Sequence, residues 1–210
     1  MQTKQTDNAN LEAKLELRRY FMRRYHPTGA CVFDACRGDK AIWTRLQSEL
    51  TSAPDTCDTP AAPCRIRYFG VDVKPKRGVL KADSLRILAH TDISRYDVID
   101  IDTHGLPWKH YRAMLPNIKR AVTVFLTLGH ALNTAGAFND KGVAQVLGIK
   151  FPTLKLPPAI IARVTDVAIP AFIWQCSEHG LEVQDFTEAE RSQHARYFGL
   201  RLIPTTPHGA

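Results

Sequence analysis

The chain has 210 residues, 44% of them hydrophobic and 23% charged, and it carries a formal net charge of +7 at pH 7. This composition predicts a globular domain with a sizeable core, and no run approaches the roughly 18 apolar residues that would span a bilayer. Since the first residues also lack the apolar core of a signal peptide, we expect a cytoplasmic protein that does not bind a membrane.

The first predicted element is a basic amphipathic helix near the amino terminus. Apolar residues recur at helical spacing from Leu11 to Met22, after the predicted N-cap Asn10. The basic residues here favour a polyanionic partner such as RNA or DNA, although a solvated helix face has the same pattern. The arginines expected to contact nucleic acid are Arg18, Arg19, Arg23 and Arg24. We assign residues 1–27 to this helical segment and residues 28–210 to the main domain.

The first half of the main domain alternates apolar runs with helical segments. The runs predicted to be strands are ACVFDAC, RIRYFGVDV, VLKADS and YDVIDID. Helices are predicted over RGDKAIWTRLQSEL and PWKHYRAMLPNIKR, and the most strand-like run in the chain is AVTVFLTLG.

The second half of the main domain is predicted to continue in the same way, with a helix over DKGVAQVLG, a helix or strand over AIIARVTDVA, and strands over AFIWQCS and RYFGLRLIP. The strand runs show little alternation and are separated by helices or short crossovers. This pattern predicts a doubly wound α/β fold, in which a mostly parallel sheet is covered by helices on both faces.

Acidic residues stand at the ends of the four early strands. They are Asp34, Asp72, Asp83 followed by Ser84, and the pair Asp100 and Asp102. Ligands bind outside the carboxyl ends of parallel strands, and crowded carboxylates repel one another unless a ligand or a cation partners them. Any single aspartate here could cap a helix or belong to a turn, but the series favours a ligand site.

A nucleoside fits this series of acids. A carboxylate at the end of the second strand can accept hydrogen bonds from both ribose hydroxyls, and Gly38 after the first strand lets the backbone approach a ligand closely. The aromatic residues Trp43, Trp108 and Tyr111 could stack on bases, but we interpret them as core residues. The five cysteines have no zinc-like spacing and are interpreted as buried thiols, so no metal site is predicted.

Taken in order, these strand ends resemble the motifs of class I S-adenosylmethionine-dependent methyltransferases. VFDACRG, FGVDVK, KADS and DVIDIDTHGLPW are similar to the family's first four motifs, over roughly residues 28–130. The resemblance implies a Rossmann-like, seven-stranded sheet and S-adenosyl-L-methionine as the cofactor. It also implies that Asp34 and Gly38 surround the methionine part, Asp72 the ribose, and Asp83 with Ser84 the adenine.

The fourth motif resembles that of the tRNA guanine-N2 dimethyltransferases, DVIDLDPYGSP. Asp102, Gly105 and Pro107 match it, while Thr103 and His104 replace the family's Pro-Tyr. The resemblance implies that Asp102 accepts a hydrogen bond from the methyl-accepting amine, and that His104 stacks on the base or takes a proton. We therefore expect a methyltransferase that acts on a nitrogen of a nucleic-acid base, with Asp102 and His104 as catalytic residues.

Two other functions fit the same sequence. The first keeps the cofactor but methylates a protein side chain or a small molecule. The second is a non-catalytic binding protein with a degenerate methyltransferase fold, which the single glycine of DACRGDK and the missing Pro-Tyr favour. The feature that discriminates these functions is whether residues 10–26 and 96–112 border one cleft. A nucleic-acid enzyme of this length would need the amino-terminal helix or a partner protein to hold its substrate.

Overall fold

The computed structural model describes residues 10–37, 41–52, 64–74, 80–103, 107–129, 164–189 and 195–205. The strands in these ranges are β1 (Gly29–Asp34), β2 (Arg65–Asp72), β3 (Leu80–Lys81), β4 (Val98–Ile101), β5 (Val122–Gly129), β6 (Leu181–Glu188) and β7 (Ala195–Pro204). The helices are α1 (Leu11–Tyr25), α2 (Ala41–Ser52), α3 (Ser84–His90), α4 (Trp108–Met114, continued by the 3-10 turn Leu115–Asn117) and α5 (Val164–Glu178). None of these described helices is long and apolar enough to cross a membrane.

The described strands form one seven-stranded sheet in the order β3-β2-β1-β4-β5-β7-β6. Strands β1 to β5 pair in parallel, whereas β7 lies antiparallel between β5 and β6. The predicted doubly wound, mostly parallel sheet is thereby confirmed. The strand order reverses between β1 and β4, and the crevice at their carboxyl ends is where such sheets bind ligands.

Helices cover both faces of this sheet. On one face, α1 and α2 pack against Val32 of β1 and Val98 of β4. On the other face, α3, α4 and α5 pack against Phe33 and Ile99, the next residues along the same two strands. Because successive strand residues point to opposite faces, β1 and β4 contribute to two separate apolar cores.

The amino-terminal helix α1 is part of this packing. Leu15 and Phe21 are completely buried, and the Phe21 ring meets the edge of Phe125 of β5 at a centroid distance of 5.7 Å. Gly199 of β7 makes room for that ring, since a Cβ at this position would collide with it. Asn10 occupies the N-cap position, but its side chain makes no capping hydrogen bond.

The side chains interpreted as core residues are indeed buried. Trp43 is 3% exposed, and Trp108 and Tyr111 are 0% exposed, so these aromatics are not surface stacking platforms. The described cysteines are free thiols, either buried or partly buried.

The sequence predictions fail around α5 and β6. The run AFIWQCS was predicted to be a strand but lies in α5. Phe172 and Cys176, four residues apart, are buried, while Ile173 and Trp174 are 44% and 49% exposed, which is a helical period. The helical alternative for AIIARVTDVA holds from Val164 onward, and DKGVAQVLG lies outside the described residues. Strand β6 was not predicted, because its sequence LEVQDFTE mixes polar and apolar residues.

Candidate functional site

The carboxyl ends of β1, β2 and β4 bring predicted acidic side chains together. Asp34 of β1 pairs in register with Asp100 of β4, and Asp102 follows β4 directly. The Cys36 thiol lies near these acids. Its pKa is raised to about 12, first by burial and then by the charges of Asp34, Asp102, Asp100 and Asp72. Four of the predicted carboxylates therefore surround one crevice.

Asp34 is a buried acid at the end of β1. The Tyr68 hydroxyl donates a hydrogen bond to its Oδ2 at 2.6 Å, and the Cys36 backbone N–H donates to its Oδ1 at 3.0 Å. Burial, and then the neighbouring Asp100 carboxylate, raise the pKa of Asp34 to about 7, although both hydrogen bonds act in the opposite direction. A buried acid beside a second acid is best stabilised by a cationic ligand.

Asp100 is bound by a cation from within the protein. Arg18 of α1 donates to Oδ2 from Nε at 3.0 Å and from Nη2 at 2.7 Å, and Nη2 also lies 2.8 Å from Oδ1. The Trp43 indole N–H donates to Oδ2 at 2.7 Å. The side chains of Arg18 and Asp100 are only 2% and 3% exposed. Asp100 is therefore a buried structural residue next to the site and is not available to a ligand.

Asp102 is bound by a different cation of the same helix. Lys14, one turn before Arg18, places its Nζ 2.7 Å from Oδ2 of Asp102, and Thr127 of β5 also hydrogen-bonds the carboxylate. Burial acts to raise the pKa of Asp102, but the Lys14 ammonium and the Arg18 charge hold it below its ordinary value. With 27% of its side chain exposed, Asp102 is an ionised carboxylate that a ligand can reach.

The other predicted cofactor residues lie on the β2–β3 side of the crevice. Asp72 is partly buried and accepts a hydrogen bond at 2.9 Å from the backbone N–H two residues further on. Asp83 caps α3 by accepting from the N–H of the second helical residue at 2.9 Å. Ser84 is buried, and its Oγ lies 3.0 Å from Nε2 of His110 in α4. Asp83 thus has the helix-capping role that the sequence also allowed.

Gly38 and His104 lie outside the described residues, so both assignments stay predictions. Thr103 and Trp108, which lie close to His104 in sequence, are described. The Thr103 Oγ1 and Trp108 Nε1 atoms are buried, and within the described part of the chain neither has a hydrogen-bond partner. Since an unsatisfied buried polar group costs roughly 1–3 kcal/mol, an additional polar partner at Thr103 or Trp108 would be stabilising.

The first two arginines of α1 are bound to carboxylates of the protein. Arg18 is buried against Asp100, so the prediction that it contacts phosphate is wrong: a guanidinium enclosed by the fold cannot reach a surface ligand. Arg19 is 14% exposed, and its guanidinium lies 2.6–2.7 Å from three glutamates. These are Glu12, Glu16 and Glu49.

The last two arginines of α1 are exposed and lie away from the crevice. Arg23 is exposed, and Arg24 is 58% exposed with its Nε 3.6 Å from Asp185. Nine residues separate Lys14 from Arg23, a distance of about 14 Å along a helix. Residues 10–26 and 96–112 do border the same crevice, but they meet through Lys14 and Arg18 rather than through the exposed arginines.

Sequence reasoning did not identify Lys14 as a site residue. The signal for it was present, because Lys14 and Arg18 are four apart and therefore share one helix face. Asp100 and Asp102 are two apart and share one strand face. Two cations four residues apart on a helix can bind two acids that lie two residues apart on a strand. This pattern in the sequence would have predicted that α1 packs on β4.

The domain has the Rossmann-like fold that is found in class I S-adenosylmethionine-dependent methyltransferases. Trm1 from Pyrococcus horikoshii, solved with S-adenosyl-L-methionine, shares this fold at a TM-score of 0.60. The identity is 12%, over 96% of this chain and 56% of the Trm1 chain. TYW2 from M. jannaschii, solved with AdoMet, has a TM-score of 0.50 and 8% identity, over 97% of this chain and 79% of its own.

The sequence itself matches no family model and no curated protein. The chain spans little more than half the length of Trm1. At these identities the likeness establishes the fold, so the resemblance of the strand-end motifs to class I methyltransferases is confirmed at that level.

Proposed function

We propose that this chain is a cytoplasmic S-adenosylmethionine-dependent methyltransferase that transfers a methyl group to an amino nitrogen of a nucleic-acid base. One observation carries the proposal. The carboxylates of Asp34, Asp72 and Asp102 end the adjacent strands β1, β2 and β4, in a fold that Trm1 and TYW2 use with this cofactor. Arg18 and Lys14 already neutralise Asp100 and Asp102, whereas burial beside Asp100 raises the pKa of Asp34, so a cationic ligand would stabilise this acid in its charged form.

The side chains of the crevice fit the parts of this cofactor, which supplies a methyl group on a cationic sulfonium. Asp72, partly buried at the end of β2, would accept hydrogen bonds from the ribose hydroxyls. Asp34 is a buried acid whose raised pKa a nearby cation would lower. The motif resemblance adds Gly38 at the methionine part and Asp83 with Ser84 at the adenine.

Asp102 is the residue that we assign to the attacking nitrogen. Its ionised carboxylate accepts a hydrogen bond from the amine and so aligns the nitrogen lone pair with the methyl carbon. The bound cofactor would supply the methyl group and would keep the electron pair of its carbon–sulfur bond, while Asp102 would hold the attacking nitrogen in line. The nitrogen then releases one proton to solvent. His104, which follows β4 in the sequence, would stack on the accepting base.

Two observations support a nucleic-acid base as the acceptor. The sequence DVIDIDTHGLPW resembles the fourth motif of tRNA guanine-N2 dimethyltransferases, and Trm1 is a tRNA N2-dimethyltransferase. In addition, Arg23 and Arg24 offer exposed cations about 14 Å from Lys14 along α1, where they would hold phosphates of neighbouring nucleotides. RNA binding through such contacts would weaken as salt is raised.

A groove beside α1 favours a second class of acceptor, an amine of a protein side chain or a small molecule. The groove has a volume of about 370 Å³ and lies between α1 and the end of β6, with Glu12, Glu16 and Glu188 in its lining. Strand β6 runs parallel to β4, so its carboxyl end lies at the same edge of the sheet as Asp102. Arg19 binds Glu12 and Glu16, and Arg196 binds Glu188, but the remaining lone pairs of these carboxylates can accept hydrogen bonds from an amine.

Labelled-methyl transfer to bulk tRNA, rRNA, DNA and protein distinguishes these acceptors. We expect label in nucleic acid, whereas label in protein alone would support the second class. Calorimetry with S-adenosyl-L-methionine on the same preparation tests the cofactor. No binding heat at millimolar cofactor would overturn both enzyme proposals and leave a non-catalytic binding protein.

A further inference from the structure

The ammonium of Lys14 is held between two groups at the edge of the crevice. Its Nζ lies 2.7 Å from Oδ2 of Asp102 and 4.9 Å from the centroid of the Tyr197 ring in β7. Only 13% of the Lys14 side chain is exposed. A lysine fixed by both a carboxylate and an aromatic face loses the freedom that surface lysines have.

The backbone of Lys14 is fixed as well. Arg18 donates from Nη1 to the Lys14 carbonyl oxygen at 3.0 Å, while its other donors hold Asp100 in the core. The buried Arg18–Asp100 pair thus anchors the turn of α1 that carries Lys14. As a result, the orientation of the Asp102 carboxylate is set by two things: the backbone that carries Asp102, and the contact with Lys14 of α1.

The charge around Asp102 depends on Lys14. Charged and titratable groups from four elements lie near Asp102. They are Lys14 and Arg18 of α1, Asp34 and Cys36 at the end of β1, Asp100 of β4, and Tyr197 of β7, which packs on Lys14. Arg18 is already paired with Asp100. Without Lys14, Asp102 would be left partly buried beside two other acids, a setting that favours its protonated form.

We propose that Lys14 is a positioning residue for methyl transfer, because its ammonium holds the Asp102 carboxylate ready to accept a hydrogen bond from the attacking nitrogen. This inference rests on the proposed function and deepens it, since it makes α1 part of the acceptor side of the site. Lys14 acts through Asp102 and does not itself touch the methyl group or the cofactor.

The first test follows the carboxyl carbon of Asp102 by NMR as the pH is changed, with the resonance assigned through Asp102→Asn. In Lys14→Met we expect the pKa of Asp102 to rise, because the carboxylate loses the ammonium that stabilises its charged form. The matched control is Lys119→Met, which removes the same charge from an exposed lysine bound to the Pro116 carbonyl and should leave Asp102 unchanged. An Asp102 titration that is identical in Lys14→Met and the wild type would overturn the proposal.

The second test measures methyl transfer to bulk tRNA at pH 6 and pH 8. We expect Lys14→Met to lose activity severalfold at pH 6 and less at pH 8, because a protonated Asp102 cannot accept the amine hydrogen bond, while Lys14→Arg recovers activity because it keeps the cation. An equal loss at both pH values would show a purely structural role and overturn the inference. An inactive wild-type chain counts against the proposed function, whereas an active wild type with a fully active Lys14→Met counts against Lys14 alone.

Discussion

Two carboxylates of β4, two residues apart, are each bound by a cation of α1, and their surroundings differ. Arg18 and Asp100 are 2% and 3% exposed, and Trp43 adds a further donor to the same carboxylate. Lys14 and Asp102 are 13% and 27% exposed. The first pair lies inside the core, and the second lies at the rim of the crevice.

The difference between the pairs indicates which acid serves the fold and which serves the chemistry. A guanidinium is a rigid, planar donor that suits a buried contact with several hydrogen bonds, whereas an ammonium is a point charge on a flexible stem. The Arg18–Asp100 contact leaves no room for a new partner. The Lys14–Asp102 contact uses one ammonium, and its carboxylate can be reached from solvent, so a substrate amine can share it.

The largest expected effect is the loss of activity in Asp102→Ala. Without the acceptor for the amine hydrogen bond, methyl transfer should fall by about 100-fold to 10,000-fold. Cofactor binding should be kept, because the proposed cofactor contacts lie on other strand ends. Initial rates and calorimetry measure the two quantities. An exposed aspartate, Asp92, gives the control Asp92→Ala, and an Asp102→Ala enzyme as active as that control would refute the role of Asp102.

The next largest effect is the loss of stability in Arg18→Met. This change leaves the Asp100 carboxylate buried without its cation, which typically costs about 3–5 kcal/mol. The free energy of unfolding from urea denaturation measures it. Arg23→Met removes an exposed arginine of the same helix and should change that free energy by less than about 0.5 kcal/mol. Similar values for the two variants would mean that the Arg18–Asp100 contact does not support the fold.

Asp34 is close to both Asp100 and Asp102, and its titration predicts how the free energy of unfolding depends on pH. Its pKa is raised from 3.8 to about 7, chiefly by burial, so the folded state binds this proton more tightly than the unfolded state. Its contribution to stability is therefore complete below about pH 4 and is lost as the pH rises through 7. Asp34→Asn, which cannot ionise, should gain up to about 4 kcal/mol relative to the wild type between pH 4 and pH 8.

Urea denaturation of both proteins across this pH range measures the difference for Asp34→Asn. The asparagine keeps an oxygen for the Cys36 N–H, and its amide can donate to the Tyr68 hydroxyl, so a loss of packing is not expected. A difference between the two proteins that stays constant with pH would contradict a titrating Asp34.

The series of acids could be predicted from sequence because each acid directly follows an apolar run, and this is a local pattern. The pairing of Arg18 with Asp100 could not, since these residues are 82 positions apart and only the packing of α1 on β4 brings them together. The basic helix therefore appeared to be a uniform surface for phosphates, although its arginines divide into buried and exposed ones.

Helix α5 and strand β6, in the carboxyl-terminal part of the chain, were harder to predict for another physical reason. The short apolar run AFIWQCS fits a strand or a buried helix equally well, because one run of this length contains too few periods to separate them. Among the described strands, β6 pairs with β7 alone and lies at the edge of the sheet, so it needs no continuous apolar run. The role of Asp83 could not be predicted either, because an aspartate before a helix has the same sequence pattern whether it caps the helix or binds a ligand.

The smallest expected effect, the stability of Lys14→Met, is also the one that most directly tests the comparison of the two pairs. A partly exposed ion pair typically contributes between about 0 and 1 kcal/mol, and water can solvate Asp102 once the ammonium is gone. Urea denaturation of Lys14→Met beside Arg18→Met measures both contributions under one condition. A small loss in Lys14→Met together with a large change in its activity at pH 6 would separate function from folding. If Lys14→Met were destabilised as much as Arg18→Met, both pairs would be structural, and Lys14 would have no separate role at the rim.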